Sequence, residues 1–328
     1  MAPSPDAPEP APASARAAVQ QPSGAGIALV LGCYTLWGVF PLYFRLLADA
    51  GSVEIIGHRI VWTLVTCLGL VTVRRRWGCL RRILRSARLL GALTVSGLLV
   101  SVNWLIYVYG INTGRTADAA LGYFINPLVT VALAALVLRE RLRPVHRVSI
   151  GLATTAVALL VVLQGSLPWV SLALALSFGL YGLVKKRIGP QVDALTGLTA
   201  ESAVVCPAAV AYLGRLAWQG QSAWQGPHAG ALLGALLLAA GPVTAVPLLL
   251  FAAGTRRVPL NVVGMSQYIA PIIQFILAWA VFREAIPPAR WAAMALVWAA
   301  VVIFVADAVH QTARRPRTRG PARAESQT

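Results

Sequence analysis

Three ionisable side chains stand among apolar neighbours: His58 and Arg59 in the stretch 54–73, and Glu201 in the stretch 194–214. Charge is costly in surroundings that cannot solvate it, so such groups face a partner, a cavity or a moving ion. Spaced as they are, the cation and the carboxylate would bracket a bilayer midplane from opposite sides. Each would lie on the order of 10 Å from its own interface, at about 1.5 Å per helical residue. An isolated carboxylate in that setting can take up a proton and carry it in exchange for another solute, with Arg59 as the nearby cation opposing protonation. The structural alternatives are that His58 and Arg59 reach outward to headgroups and that Glu201 accepts a hydrogen bond from a neighbouring helix. Glu201 is expected to be the one acid well inside a span. Glu54 and Asp307 fall at helix ends, Asp49 and Asp118 fall in loops, and Arg115 with Asp118 reads as a surface pair.

A second group of candidates surrounds two prolines. Pro127 and Pro271 each remove a helix hydrogen bond and free a carbonyl, which in lipid needs protein or a wet cavity beside it. Tyr123, Asn126, Gln267, Tyr268 and Gln274 supply hydrogen-bonding groups at that level, and Asn103, Trp104 and Trp37 add a polar contact and stacking surfaces. Together these residues point to a substrate-binding site near the midplane. The alternative is two structural kinks with hydrogen bonds between helices. Enzymatic chemistry lacks its parts, because there is no HExxH, GxSxG or paired-carboxylate motif. Cys33, Cys67, Cys79 and Cys206 form no CxxC pair or cluster with His. They read as small hydrophobes, and no metal or cofactor is expected.

The elements that must position these residues follow from composition. The 328 residues are 58% hydrophobic and 12% charged, with a mean hydropathy of +0.70. A soluble domain carries about a quarter charged residues. Ten stretches reach the roughly 17–25 apolar residues that a span requires: 24–45, 54–73, 89–110, 119–138, 148–164, 168–184, 194–214, 229–250, 261–282 and 289–308. Residues 1–23, rich in Ala, Pro and Ser, read as a disordered tail, and 309–328 as a basic one. The net charge of +17 does not imply nucleic acid, because the basic residues sit in short runs between apolar stretches. Counted on alternate sides, 22 Lys and Arg fall with the termini and four fall opposite. That asymmetry puts both termini in the cytoplasm and the chain in the cytoplasmic (inner) membrane. Within 74–88, Trp77, Leu80 and Leu84 recur at helical spacing among arginines. That pattern suits a surface-lying helix, and with the arginines of 314–323 it suggests contact with anionic lipid.

INPLVTVALAALVLRERLRP (125–144) resembles IAPIIQFILAWAVFREAIPP (269–288) at an offset of 144. Pro127 meets Pro271, Arg139-Glu140 meets Arg283-Glu284, Pro144 meets Pro288, and Gly110 meets Gly254. At an offset near 142, Arg59 stands opposite Glu201. The unit holds five helices, an odd number, so the second copy enters the membrane inverted. The fold expected is all-α and polytopic, with repeats over 24–164 and 168–308. Inverted repeats of this kind belong to alternating-access carriers.

GHRIVW (57–62), Asn103-Trp104, LGYFINPL (121–128), SFGLYGLVKK (177–186), VPLLLF (246–251) and SQYIAP (266–271) resemble the RarD-type permeases of the EamA family, in the drug/metabolite transporter superfamily. The similarity covers roughly residues 24–310. Arg139-Glu140 departs from the Gly-Glu more usual there. The resemblance implies ten helices in two inverted repeats, cytoplasmic termini, and secondary transport of a small drug-like or metabolite substrate. A homodimer is compatible with it. A channel, or a membrane sensor or scaffold without carrier activity, is the competing reading.

Overall fold

The structure is a computed structural model that describes residues 23–138, 144–188, 191–225 and 230–314. The N-terminal tail over 1–22, the basic tail beyond 314 and the Arg139-Glu140 pair lie outside those residues. The regular elements described are all helical: α1 (Gly24–Arg45), α2 (Ser52–Val73), α3 (Trp77–Arg85), α4 (Ala87–Asn112), α5 (Thr116–Leu138), α6 (Pro144–Gln164), α7 (Trp169–Ile188), α8 (Ala194–Trp218), α9 (Ala231–Gly254), α10 (Leu260–Ser266), α11 (Ile269–Ile276) and α12 (Pro288–Arg314). A short 3₁₀ turn, Ala48–Ala50, follows α1, and a π segment, Leu277–Val281, continues α11. Nine spans among the described residues are long and apolar enough to cross a membrane, with α10, α11 and the π segment counted as one. The tenth, α7, is 20 residues long and ends in Lys185, Lys186 and Arg187, which dilute its apolar character.

Local signals explain the boundaries. Ser23, Ser86 and Asp193 cap α1, α4 and α8 through side-chain oxygens that accept backbone N–H groups. The sequence starts α6 at 148 and α12 at 289, and the structure starts them at Pro144 and Pro288. Proline suits a first helical position, where its missing N–H has no partner to lose. This accounts for the last proline of the internal repeat in both copies. The inner prolines behave differently in the two copies. Pro127 sits inside a continuous α5, whereas the ninth span breaks at Gln267 and Tyr268. Pro271 has no N–H for the Gln267 carbonyl four residues before it, and the helix parts at that point.

The two halves interlock. Helix α1 packs on α9 and α11 of the second half, and α7 packs on α4 and α5 of the first. Pairs α2·α8, α5·α11 and α6·α12 join equivalent helices. Glycines at the repeat offset mark matching crossings. A Cβ on Gly110 would stand 3.3 Å from Val170, and one on Gly254 would stand 2.6 Å from Val30. A Cβ on Gly97 would stand 2.9 Å from the Glu201 carbonyl oxygen, while one on Gly241 would collide with the Trp62 carbonyl. Crossings α4·α8 and α9·α2, each between the halves, therefore bring backbone close to backbone at equivalent places. Helix α3 forms as the sequence predicts, but its inner face is Leu80 and Ile83, packed with Val71, Leu93 and Ile188. Trp77 and Leu84 stay exposed.

Candidate functional site

A buried polar centre gathers on Arg59, at the α2·α9 crossing. The residue is 4% exposed. Nε donates to Thr244 Oγ1 of α9 at 3.0 Å. The guanidinium carbon lies 4.0 Å from the Trp104 ring centroid, 5.3 Å from Phe44 and 5.9 Å from Phe40. Three of its walls are thus aromatic faces, which attract a cation through their π electrons. Its electrostatic neighbours are Tyr123, Tyr107 and Tyr43. Tyr43 donates to the Leu236 carbonyl at 2.6 Å. Tyr123 donates to Asn103 Oδ1 at 3.1 Å, and Asn103 Nδ2 donates to the Leu174 carbonyl and to Ser177 Oγ. Helices α1, α2, α4, α5, α7 and α9 all contribute, so both halves build this centre.

Of the predicted residues, Arg59, Trp104, Asn103 and Tyr123 come together here. Trp37 and Gln274 meet separately on the α1·α11 crossing, where Gln274 Nε2 donates to the Trp37 carbonyl at 3.1 Å. Trp37 meets Tyr34 edge to face and Phe251 at a tilt. Asn126 and Tyr268 are buried, and Tyr268 lies within the apolar cluster that includes Phe124, Phe275 and Met294. Gln267 is half-buried at the break beside it. His58 sits toward one end of α2, accepting the Trp224 indole N–H at 3.1 Å, with Glu54 3.9 Å away. As an acceptor at Nε2, its imidazole is neutral.

Two expectations about charge are corrected. Glu201 is 1% exposed, but its partner is not Arg59. Its Oε1 accepts Lys185 Nζ at 2.8 Å and Ser96 Oγ at 2.5 Å. Lys185 reads in sequence as a cytoplasmic charge because it follows the apolar run of α7, yet its four-carbon stem returns the ammonium to the α4·α8 crossing. Second, Asp118 is not half of a surface pair with Arg115. Asp118 is 5% exposed in the first turn of α5 and pairs with Arg290 at 3.2 Å, not with Arg115 on the surface. Glu54 is also 5% exposed and accepts Ser222 Oγ and the Ala223 N–H. Beside Asp118, Glu284 accepts the N–H groups of Thr116 and Ala117 at 2.8 and 2.9 Å, so a loop of the second half caps α5 of the first. This explains the glutamate in the Arg-Glu pair that ends the ninth span.

Tyr43, Tyr107, Phe40, Phe44 and Thr244 carry no sequence signal that separates them from ordinary apolar or small residues of a span. The repeat offset was the available clue, since it maps the Arg59 crossing onto that of Glu201.

Known proteins fit this architecture. The EamA-like transporter family matches the chain twice, over residues 24–162 and 167–306. The chain belongs to that family. Within the EamA-like family it is 45% identical to Protein RarD of Streptomyces exfoliatus, covering 90% of this chain and 92% of that one. It is 38% identical to Protein RarD of Escherichia coli (strain K12), over 88% and 96% of the two chains. The Chloramphenicol-sensitive protein RarD of Pseudomonas aeruginosa is 29% identical over 90% of this chain and 98% of its own length. A solved crystal structure, 17% identical, superimposes with a TM-score of 0.54 over 88% of this chain and 98% of that one, a likeness of fold. This EamA-like chain is therefore a multi-pass membrane protein of a transporter family, built as a repeated helical unit.

Proposed function

We propose that this EamA-like protein is a secondary carrier that moves a small drug-like or metabolite molecule across the cytoplasmic membrane by alternating access, with both termini in the cytoplasm. One observation carries the reading. Six helices drawn from both halves converge on the Arg59 centre, so displacement of one half against the other would open that centre to either side. The equivalent crossings of one half on the other at Gly97 and Gly241 fit the pseudosymmetry of an inverted repeat. The substrate site in this reading is Arg59, Trp104, Asn103 and Tyr123, with Trp37, Gln274, Asn126, Gln267 and Tyr268 on the mobile flank around the broken ninth span. Glu201 is the coupling group. Protonation at its Oε2, which has no hydrogen-bond partner, would release Lys185 on one face of the bundle. Exposed Arg81, Arg82 and Arg85 of α3 suit anionic headgroups at the cytoplasmic surface.

The test is counterflow in proteoliposomes, with chloramphenicol as the first probe because one relative bears that name. A panel of amino acids and metabolites would follow. Saturable exchange supports a carrier, and non-saturating flux would replace it with a channel.

A further inference from the structure

Among the described residues, Arg59 is a cation with no counter-charge. Glu54 lies beside His58, Asp118 beside Arg290, Glu201 beside Lys185 and Asp307 beside His146, so each of these acids has its own neighbour elsewhere. Around Arg59 the ionisable neighbours are tyrosines and no acid. Thr244 takes its Nε, while Nη1 is buried without a hydrogen-bond partner. The Tyr107 hydroxyl is also buried without a partner, on a ring 6.0 Å from that of Phe44, which itself faces the guanidinium. The aromatic faces of Phe40, Phe44 and Trp104 hold the charge in place without neutralising it.

A fold gains nothing in stability from an uncompensated buried cation. It gains a recognition point if a ligand brings the anion. Resting on the carrier reading above, we infer that the transported molecule carries a carboxylate, which accepts hydrogen bonds from Arg59 Nη1 and the Tyr107 hydroxyl, with its organic remainder against Trp104. A single cation here suits a single negative charge, and guanidinium N–H groups pair well with a carboxylate.

The test uses the full-length protein in nanodiscs and three acid–amide pairs of matched shape: butyrate and butyramide, 3-phenylpropionate and 3-phenylpropionamide, indole-3-acetate and indole-3-acetamide. Binding is read from the shift in unfolding temperature with ligand concentration. At least one acid is expected to stabilise the protein saturably, at least tenfold more tightly than its amide. Arg59→Gln is expected to erase that preference and, without ligand, to unfold at a higher temperature than wild type, since the unpaired charge is gone. Tyr107→Phe keeps the ring packing and is expected to weaken acid binding several-fold. The inference is overturned if no acid binds, if amides bind equally well, or if Arg59→Gln keeps the preference. It is also overturned if Arg59→Gln fails to fold or melts lower without ligand, which would make Arg59 a structural tie. Saturable counterflow of chloramphenicol without acid binding would remove this inference and leave the carrier reading standing. Acid binding that depends on Arg59, with no counterflow of that acid, would keep the site and remove the carrier.

Discussion

Arg59 and Glu201 hold equivalent positions in the two halves and have opposite surroundings. The cation stands against aromatic rings, and the carboxylate has an ammonium and a hydroxyl. Removing one partner of a buried pair strands the other. Glu201→Gln leaves Lys185 without its anion, although that side chain is 29% exposed and part of the loss is recovered by solvation. A destabilisation of about 1–3 kcal/mol is expected, read as a lower unfolding temperature in detergent, with Lys185→Met and Glu201→Leu combined recovering most of it. If Glu201 also couples transport, Glu201→Gln is expected to flatten the pH dependence of counterflow, and wild-type pH dependence in that variant would remove it from coupling. The sequence marked Glu201, since an acid in an apolar run is conspicuous. It hid Lys185, because a basic residue after a span has the same appearance whether it ends in water or folds back. It hid Tyr107 and Phe44, because aromatic residues look alike whether they face lipid or a guanidinium.

The helices themselves were legible because apolar runs of membrane length have few other uses. Their ends and breaks were less so, because these depend on single hydrogen bonds. The break at Gln267 and Tyr268 follows from one missing N–H at Pro271, yet the equivalent Pro127 leaves α5 continuous, so neighbours decide the outcome. Asp193 offers a cap that can be measured. Burial alone would raise its carboxyl, but hydrogen bonds from the Thr196 hydroxyl and from the Thr196 and Leu195 N–H groups, with Arg76 nearby, outweigh it and hold the group below the usual carboxylate range. A depressed folded value means that the cap contributes fully above the unfolded value of about 3.9 and is lost as pH falls through the folded one. Asp193→Ala is expected to cost about 1 kcal/mol at neutral pH. The gap from wild type in thermal unfolding should hold steady from pH 7 to 5 and close below about pH 4. A gap that persists into stronger acid would show that the carboxylate is not its source.

At the scale of the whole molecule, neither half buries its own faces, because α1 lies on α9 and α11 while α7 lies on α4 and α5. The halves meet in sequence only through the short connection after Gly165, whose φ of 65° ends α6. Cutting the gene there and producing both pieces together is expected to give a complex that co-purifies and binds as the intact chain does, while either piece alone is degraded. A stable, separately purified half would contradict the interlocked packing. Orientation has its own test. In a cysteine-free background, Arg82→Cys should resist an impermeant thiol reagent added to intact cells and Gln221→Cys should react, both positions being exposed. The duplication was readable from Pro, Gly and Arg-Glu at a constant offset. The interlocking was not, because apolar faces do not announce which apolar face they meet.

The unpaired guanidinium also gives the protein an electrical character. With a carboxylate on Arg59, the occupied centre has no net charge to move. Empty, it takes one positive charge through whatever part of the membrane field its reorientation spans. A complete traversal at 100 mV is worth about 2.3 kcal/mol per charge, roughly fiftyfold in an equilibrium or a rate. Exchange of labelled for unlabelled acid never uses the empty carrier and is expected to ignore a potassium–valinomycin clamp. Net efflux must return the carrier empty, so it is expected to follow the clamp. Equal voltage dependence in both modes would mean that Arg59 does not move through the field.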